Sequence, residues 1–136
     1  MRLYAARKGH LRASTMAVFQ AIASDVDRLP ELEFSTRANC HAMAHAFARM
    51  RSDVTVVDGH FQRRNTFHSW LTIGSAIIDV HPVGGGNPFI VDSEGMLNPW
   101  NAIYVPDPKV IAKVDAEAVR DVERLIRALD RTRTSP

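Results

Sequence analysis

Residues 67–82, FHSWLTIGSAIIDVHP, decide the fold. Phe67, Ser69, Leu71 and Ile73 alternate with His68, Trp70 and Thr72; after Gly74-Ser75, Ala76, Ile78 and Val80 alternate with Ile77, Asp79 and His81. Two alternating runs separated by a Gly-Ser pair predict a hairpin with a two-residue loop, Gly supplying the positive φ of the first turn position. The loop length fixes the register: Ile73 opposite Ala76, Trp70 opposite Asp79, His68 opposite His81. One face then carries Phe67, Leu71, Ile73, Ala76, Ile78 and Val80, a core surface interrupted only by Ser69. The other carries His68, Trp70, Thr72, Ile77, Asp79 and His81, with His68 diagonal to Asp79. A loop one residue longer would separate that imidazole and carboxylate onto opposite faces. The second face reads as polar, and it lacks a nucleophile.

The single cysteine, Cys40, stands upstream in NCHAMAH. Asn39 is a good N-cap for a helix reaching about Arg51, which puts Cys40 in the first turn. Cys40, Met43, Phe47 and Met50 recur at helical spacing, so the thiol heads the stripe facing the protein body. Unpaired N–H groups and the positive end of the helix dipole favour thiolate there. A helix capped instead by Ser35 would bury Cys40 within it and weaken that effect. His41, His45 and Arg49 form the polar flank, pointing mostly away from the thiol.

Cys at a helix start, then His in His68-Ser69-Trp70, then Asp in Asp79-Val80-His81-Pro82, is an order that resembles the transglutaminase-like branch of the papain-like cysteine enzymes. The resemblance covers roughly residues 38–82. It implies an α+β fold with a papain/transglutaminase-like core: a helix carrying Cys packed against an antiparallel β-meander, flanked by N- and C-terminal helices. It implies that Cys40 is the acyl-accepting nucleophile, His68 its base and Asp79 the group that orients His68. No cofactor is implied. The function expected is cysteine-dependent acyl transfer, a peptidase- or amidase-type hydrolase acting on a peptide or small acyl substrate. The Cys40 N–H is one natural oxyanion donor. Asn39 and Trp70 are further cleft candidates, Asn39 having the competing role of cap and Trp70 that of core filler or screen against water.

Elsewhere the pattern is coarser. Residues 1–12 read as a basic lead-in. A helix capped by Ser14 or Thr15 runs to about Leu29, stopped by Pro30, and Leu32 and Phe34 read as a docking segment. Residues 54–61 form a strand in which Gly59 suggests a bulge, and 62–66 a turn into the hairpin. Residues 82–88, PVGGGNP, are a loop and plausible cleft lip. Short strands follow at 89–91 and 98–105, and a helical pattern starts at Asp107 with Pro108 at its first position. Val119, Val122, Leu125, Ile126 and Leu129 give it one apolar stripe.

At 136 residues the chain is expected to be one domain with a real core. One cysteine excludes an intrachain disulfide and fits a reducing compartment. A net charge of +2, dispersed along the chain, argues against a nucleic-acid partner. The apolar run 16–23 is too short to span a membrane, so a cytoplasmic location is expected. Two rival functions are open to the same chain. One is a non-catalytic scaffold binding a partner through the Gly-rich loop and Trp100/Tyr104. The other is a metal site drawing on His41 and His45, spaced i, i+4, with Cys40, His68, Asp79 and His81; HxxxH without a metalloprotease Glu is a weak signature.

Overall fold

The computed structural model describes residues 5–6, 11–29 and 39–134. Most of the lead-in, together with Pro30, Leu32 and Phe34, lies outside the described residues. Helices α1 (Ala13–Arg28), α2 (Cys40–Met50) and α4 (Ala116–Thr134) accompany a six-stranded sheet. Its strands are β1 (Ala5–Ala6), β2 (Thr55–Phe61), β3 (Phe67–Ile73), β4 (Ala76–Asp79), β5 (Phe89–Asp92) and β6 (Tyr104–Pro106), ordered β1-β5-β4-β3-β2-β6. Five strands pair antiparallel, and β1 adds to β5 in parallel. The fold is therefore mixed α and β around a mostly antiparallel meander. The two-residue β1 falls in a stretch whose sequence carries no alternation, so it was not expected.

The hairpin has the predicted register: Ile73 faces Ala76 and Leu71 faces Ile78, with Gly74 at φ 56° in the turn. Leu71, Ile78 and Val80 are buried against Phe19, Ile22, Phe47, Val119, Val122 and Ile126 of the helices. Removing each such side chain from water stabilises the fold by about 1.5–3 kcal/mol. Phe67, assigned to that core face, is instead 40% exposed, with the Lys113 ammonium 5.1 Å from its ring centre. The opposite face is not the polar surface its sequence suggested. Trp70, Ile77, Val91 and Tyr104 form a second buried cluster there, so the sheet is covered on both sides.

Four further expectations change. α1 begins at Ala13 after Arg12, which makes no side-chain cap bond, so neither Ser14 nor Thr15 is the cap. Gly59 is not a bulge. It continues the ladder, opposite His68 and Pro106, and is glycine because an added Cβ would meet the Val105 carbonyl oxygen at 2.1 Å and Trp70 Cη2 at 2.8 Å. Residues 98–105 are not one strand: the Asn98 side chain accepts from the Trp100 N–H, a single helical turn α3 (Trp100–Ile103) follows, and only then β6. The helical pattern from Asp107 is broken in two, a 3-10 helix over Pro108–Lys113 capped by Asp107, then α4. Among the described residues no helix is long and apolar enough to cross a membrane.

Candidate active site

The N-terminus of α2 is built as its sequence predicts. The Ala42 N–H donates to Asn39 Oδ1 at 2.9 Å, and the Met43 N–H donates to the Asn39 carbonyl at 3.0 Å. Cys40 is the first helical residue, half-buried, its N–H ahead of the first intrahelical bond. Asn39 thus uses its side-chain oxygen as a cap, the competing role weighed for it.

From the sheet, His68 Nε2 donates to Asp79 Oδ2 at 2.8 Å, and both side chains are fully buried. The Tyr104 hydroxyl donates to the same oxygen at 2.6 Å, and the His81 N–H reaches Oδ1 at 3.3 Å. A carboxylate only accepts, so these donors hold the His68 ring with its proton on Nε2. Nδ1 is buried and has no hydrogen-bond partner among the described residues. Aromatic rings enclose the imidazole: Phe61 edge-on at 5.7 Å, Trp70 at 6.1 Å and Tyr104 at 6.2 Å between centroids. Trp70 is 2% exposed and part of the second core. It screens His68 from water as well as filling space.

Cys40 and His68 lie close enough to shift one another. Burial pushes the thiol upward, but the neighbouring His41 and His68 imidazoles outweigh it and lower the thiol to about 6. Burial likewise opposes protonation of His68, yet the Asp79 hydrogen bond, then the thiol, raise the imidazole to about 9. The same enclosure and the Asp79 charge push the Tyr104 hydroxyl upward. Between about pH 6 and 9 this environment favours the thiolate–imidazolium pair.

His41 is not on a solvated flank as helical periodicity suggests. It is buried, acts on Cys40, and its Nδ1 lies 2.7 Å from Ser69 Oγ. The Ser69 hydroxyl donates to Asp58 Oδ1, which also accepts from His45 Nε2 at 2.8 Å. Tyr104, Asp58 and Ser69 are the residues sequence reasoning left out. Tyr104 is 25 positions from Asp79 with no local signal linking them, and at 3% exposure it is not the partner-binding surface proposed for it. Ser69 did carry a signal. A lone hydroxyl on a core face must find a partner.

His81 contributes through its backbone, its side chain being exposed, and among the described residues no group of three or more His, Cys, Asp or Glu is placed to hold a metal ion. An open groove of about 580 Å³, lined by His60, Gln62, Arg63, Arg64, Val105, Pro106 and Asp107, includes none of these residues.

Comparison with family models, curated proteins and solved structures finds no match to this chain.

Proposed function

We propose that the protein is a thiol-dependent acyl-transfer enzyme, a hydrolase of peptidase or amidase type, with Cys40 as nucleophile, His68 as base and acid, and Asp79 orienting His68. One observation carries this reading: a fully buried imidazole bound at Nε2 by a carboxylate, with Nδ1 unpartnered, within interacting range of the chain's one thiol. The likeness of its Cys–His–Asp order to the transglutaminase-like branch of papain-like enzymes supports the same roles.

In the proposed reaction, thiolate attacks the carbonyl carbon of an amide, ester or thioester. The tetrahedral oxyanion collapses as the bond to the leaving group breaks, and His68 Nδ1–H protonates that group. A thioester on Cys40 remains. Water then attacks it, giving a proton to Nδ1 and releasing the carboxylic acid with thiolate–imidazolium restored. Throughout, Asp79 keeps the ring in one tautomer and stabilises its charged form. The Cys40 N–H, at the helix tip, is suited to the oxyanion. Water is taken as the acceptor, an amine being the alternative that the same acyl-enzyme allows.

The test is turnover of a panel of p-nitrophenyl esters and aminoacyl amides, with intact-mass detection of an acyl adduct. Adduct formation on the native protein and none on Cys40→Ala is expected. An unacylated protein with no turnover anywhere on the panel counts against the reading.

A further inference from the structure

We propose that His41 is a second, separately oriented imidazole serving the Cys40 thiol, and that Ser69, Asp58 and His45 form the relay that holds it. This rests on the reading of Cys40 as nucleophile and adds a positioning residue to it.

The proton count on the relay gives the argument. A serine hydroxyl has one proton. Ser69 gives it to Asp58 Oδ1, so toward His41 the hydroxyl oxygen accepts, and the 2.7 Å bond is donated by His41 Nδ1–H. That leaves Nε2 as the nitrogen of His41 free to serve the thiol of the preceding residue. Asp58 is fixed in turn by His45 Nε2–H, one helical turn beyond His41 on α2, and by β2 pairing, where Asp58 stands opposite Ser69. His41 and Ser69 are buried at 8% and 0% exposure, and Asp58 is half-buried. A buried chain of this kind orients its members more rigidly than a solvated one.

The site is thus symmetric in logic though not in parts. His68 is held at Nε2 by Asp79 and offers Nδ1; His41 is held at Nδ1 by Ser69–Asp58 and offers Nε2. The imidazoles that act on the thiol are His41 on its own helix and His68 on β3. Behind them stand His45 on α2, Asp58 on β2, Asp79 on β4 and Tyr104 on β6. His41 acting on the thiol agrees with this placement.

The test is the pH dependence of iodoacetamide alkylation, which reads thiol ionisation without requiring turnover. The native protein should show a midpoint near 6. His68→Ala should raise it, and His41→Met added to His68→Ala should raise it further, to the free-thiol value of about 8.5 or above, because burial then acts unopposed. Ser69→Ala, which frees His41 while removing only one oxygen, should raise the midpoint by roughly half a unit to one unit. The proposal is overturned if either His41→Met or Ser69→Ala keeps the native midpoint, or if adding His41→Met to His68→Ala raises the midpoint no further. Should His41→Met fail to fold, as judged by circular dichroism, Ser69→Ala decides alone. A native midpoint near 8.5 removes the functional reading itself, which separates that failure from failure of this one.

Discussion

Two of the histidine–carboxylate pairs have their histidines on neighbouring strands, β2 and β3, and almost nothing in their bond lengths distinguishes them. His68–Asp79 measures 2.8 Å and His60–Asp107 2.9 Å. Their surroundings differ. The first pair is wholly buried, while the side chains of the second are 15% and 31% exposed. Asp79 accepts from a tyrosine hydroxyl besides the imidazole; Asp107 caps the 3-10 helix through the Lys109 N–H. Only His68 has a thiol within interacting range. A His–Asp distance therefore says little about chemistry. In both pairs Nδ1 is the buried nitrogen left without a partner among the described residues; what separates them is the depth of the pair and the thiol that acts on one of them.

Substitution should widen this contrast. His68→Ala and Cys40→Ala are each expected to cut kcat on any acyl substrate the protein turns over by about 10⁴-fold or more, whereas His60→Ala should leave it within a few-fold. Equal losses from all three would place the reaction elsewhere. For stability, Asp79→Ala strands a buried imidazole and should cost about 3–5 kcal/mol in urea unfolding. Asp107→Ala, at the surface, should cost visibly less, and similar midpoint shifts would contradict the burial difference. Tyr104→Phe removes one donor from the Asp79 carboxylate and should cost about 1.5–3 kcal/mol. Its kcat should fall less than that of Asp79→Ala, because Nε2 remains bound.

The smallest of these effects per step, yet the one most specific to the buried pair, is pH dependence. The thiol is lowered to about 6, so below that pH thiolate takes up a proton and kcat/KM should fall about tenfold per unit. His68 is raised to about 9, so above that pH the imidazolium proton needed by the leaving group is lost and the rate falls again. A bell between about 6 and 9 is expected, absent in His68→Ala. A profile rising only near 8.5 would mean an ordinary thiol.

The fold was legible where local chemistry set it. Gly74-Ser75 dictates the turn, the turn dictates register, and register alone brings His68 to Asp79. Asn39 likewise announces the cap that puts Cys40 at the head of α2. What could not be read depends on residues distant in sequence. His68, Trp70 and Asp79 looked like a polar face because Phe61, Trp100 and Tyr104, which pack over them, carry no mark of where they go. His41 was misdirected for the opposite reason. Helical periodicity puts it off the Cys40 stripe, and it is the Ser69–Asp58 pair across the interface that turns the ring back. The break of the last helix at Val114–Asp115 is by contrast local: Asp107 and Asp115 each cap a separate piece through N–H groups two or three residues on.

Gly59 carries a consequence beyond its own strand. With Val105 and Trp70 crowding the spot where a side chain would begin, one methyl group there would have to lever the outermost ribbon away from the sheet. Tyr104 opens that ribbon, so the carboxylate behind the histidine would lose its phenol. A change of a single carbon, on a residue with no chemistry of its own, would be felt at the sulfur as a slackening of the imidazole's grip.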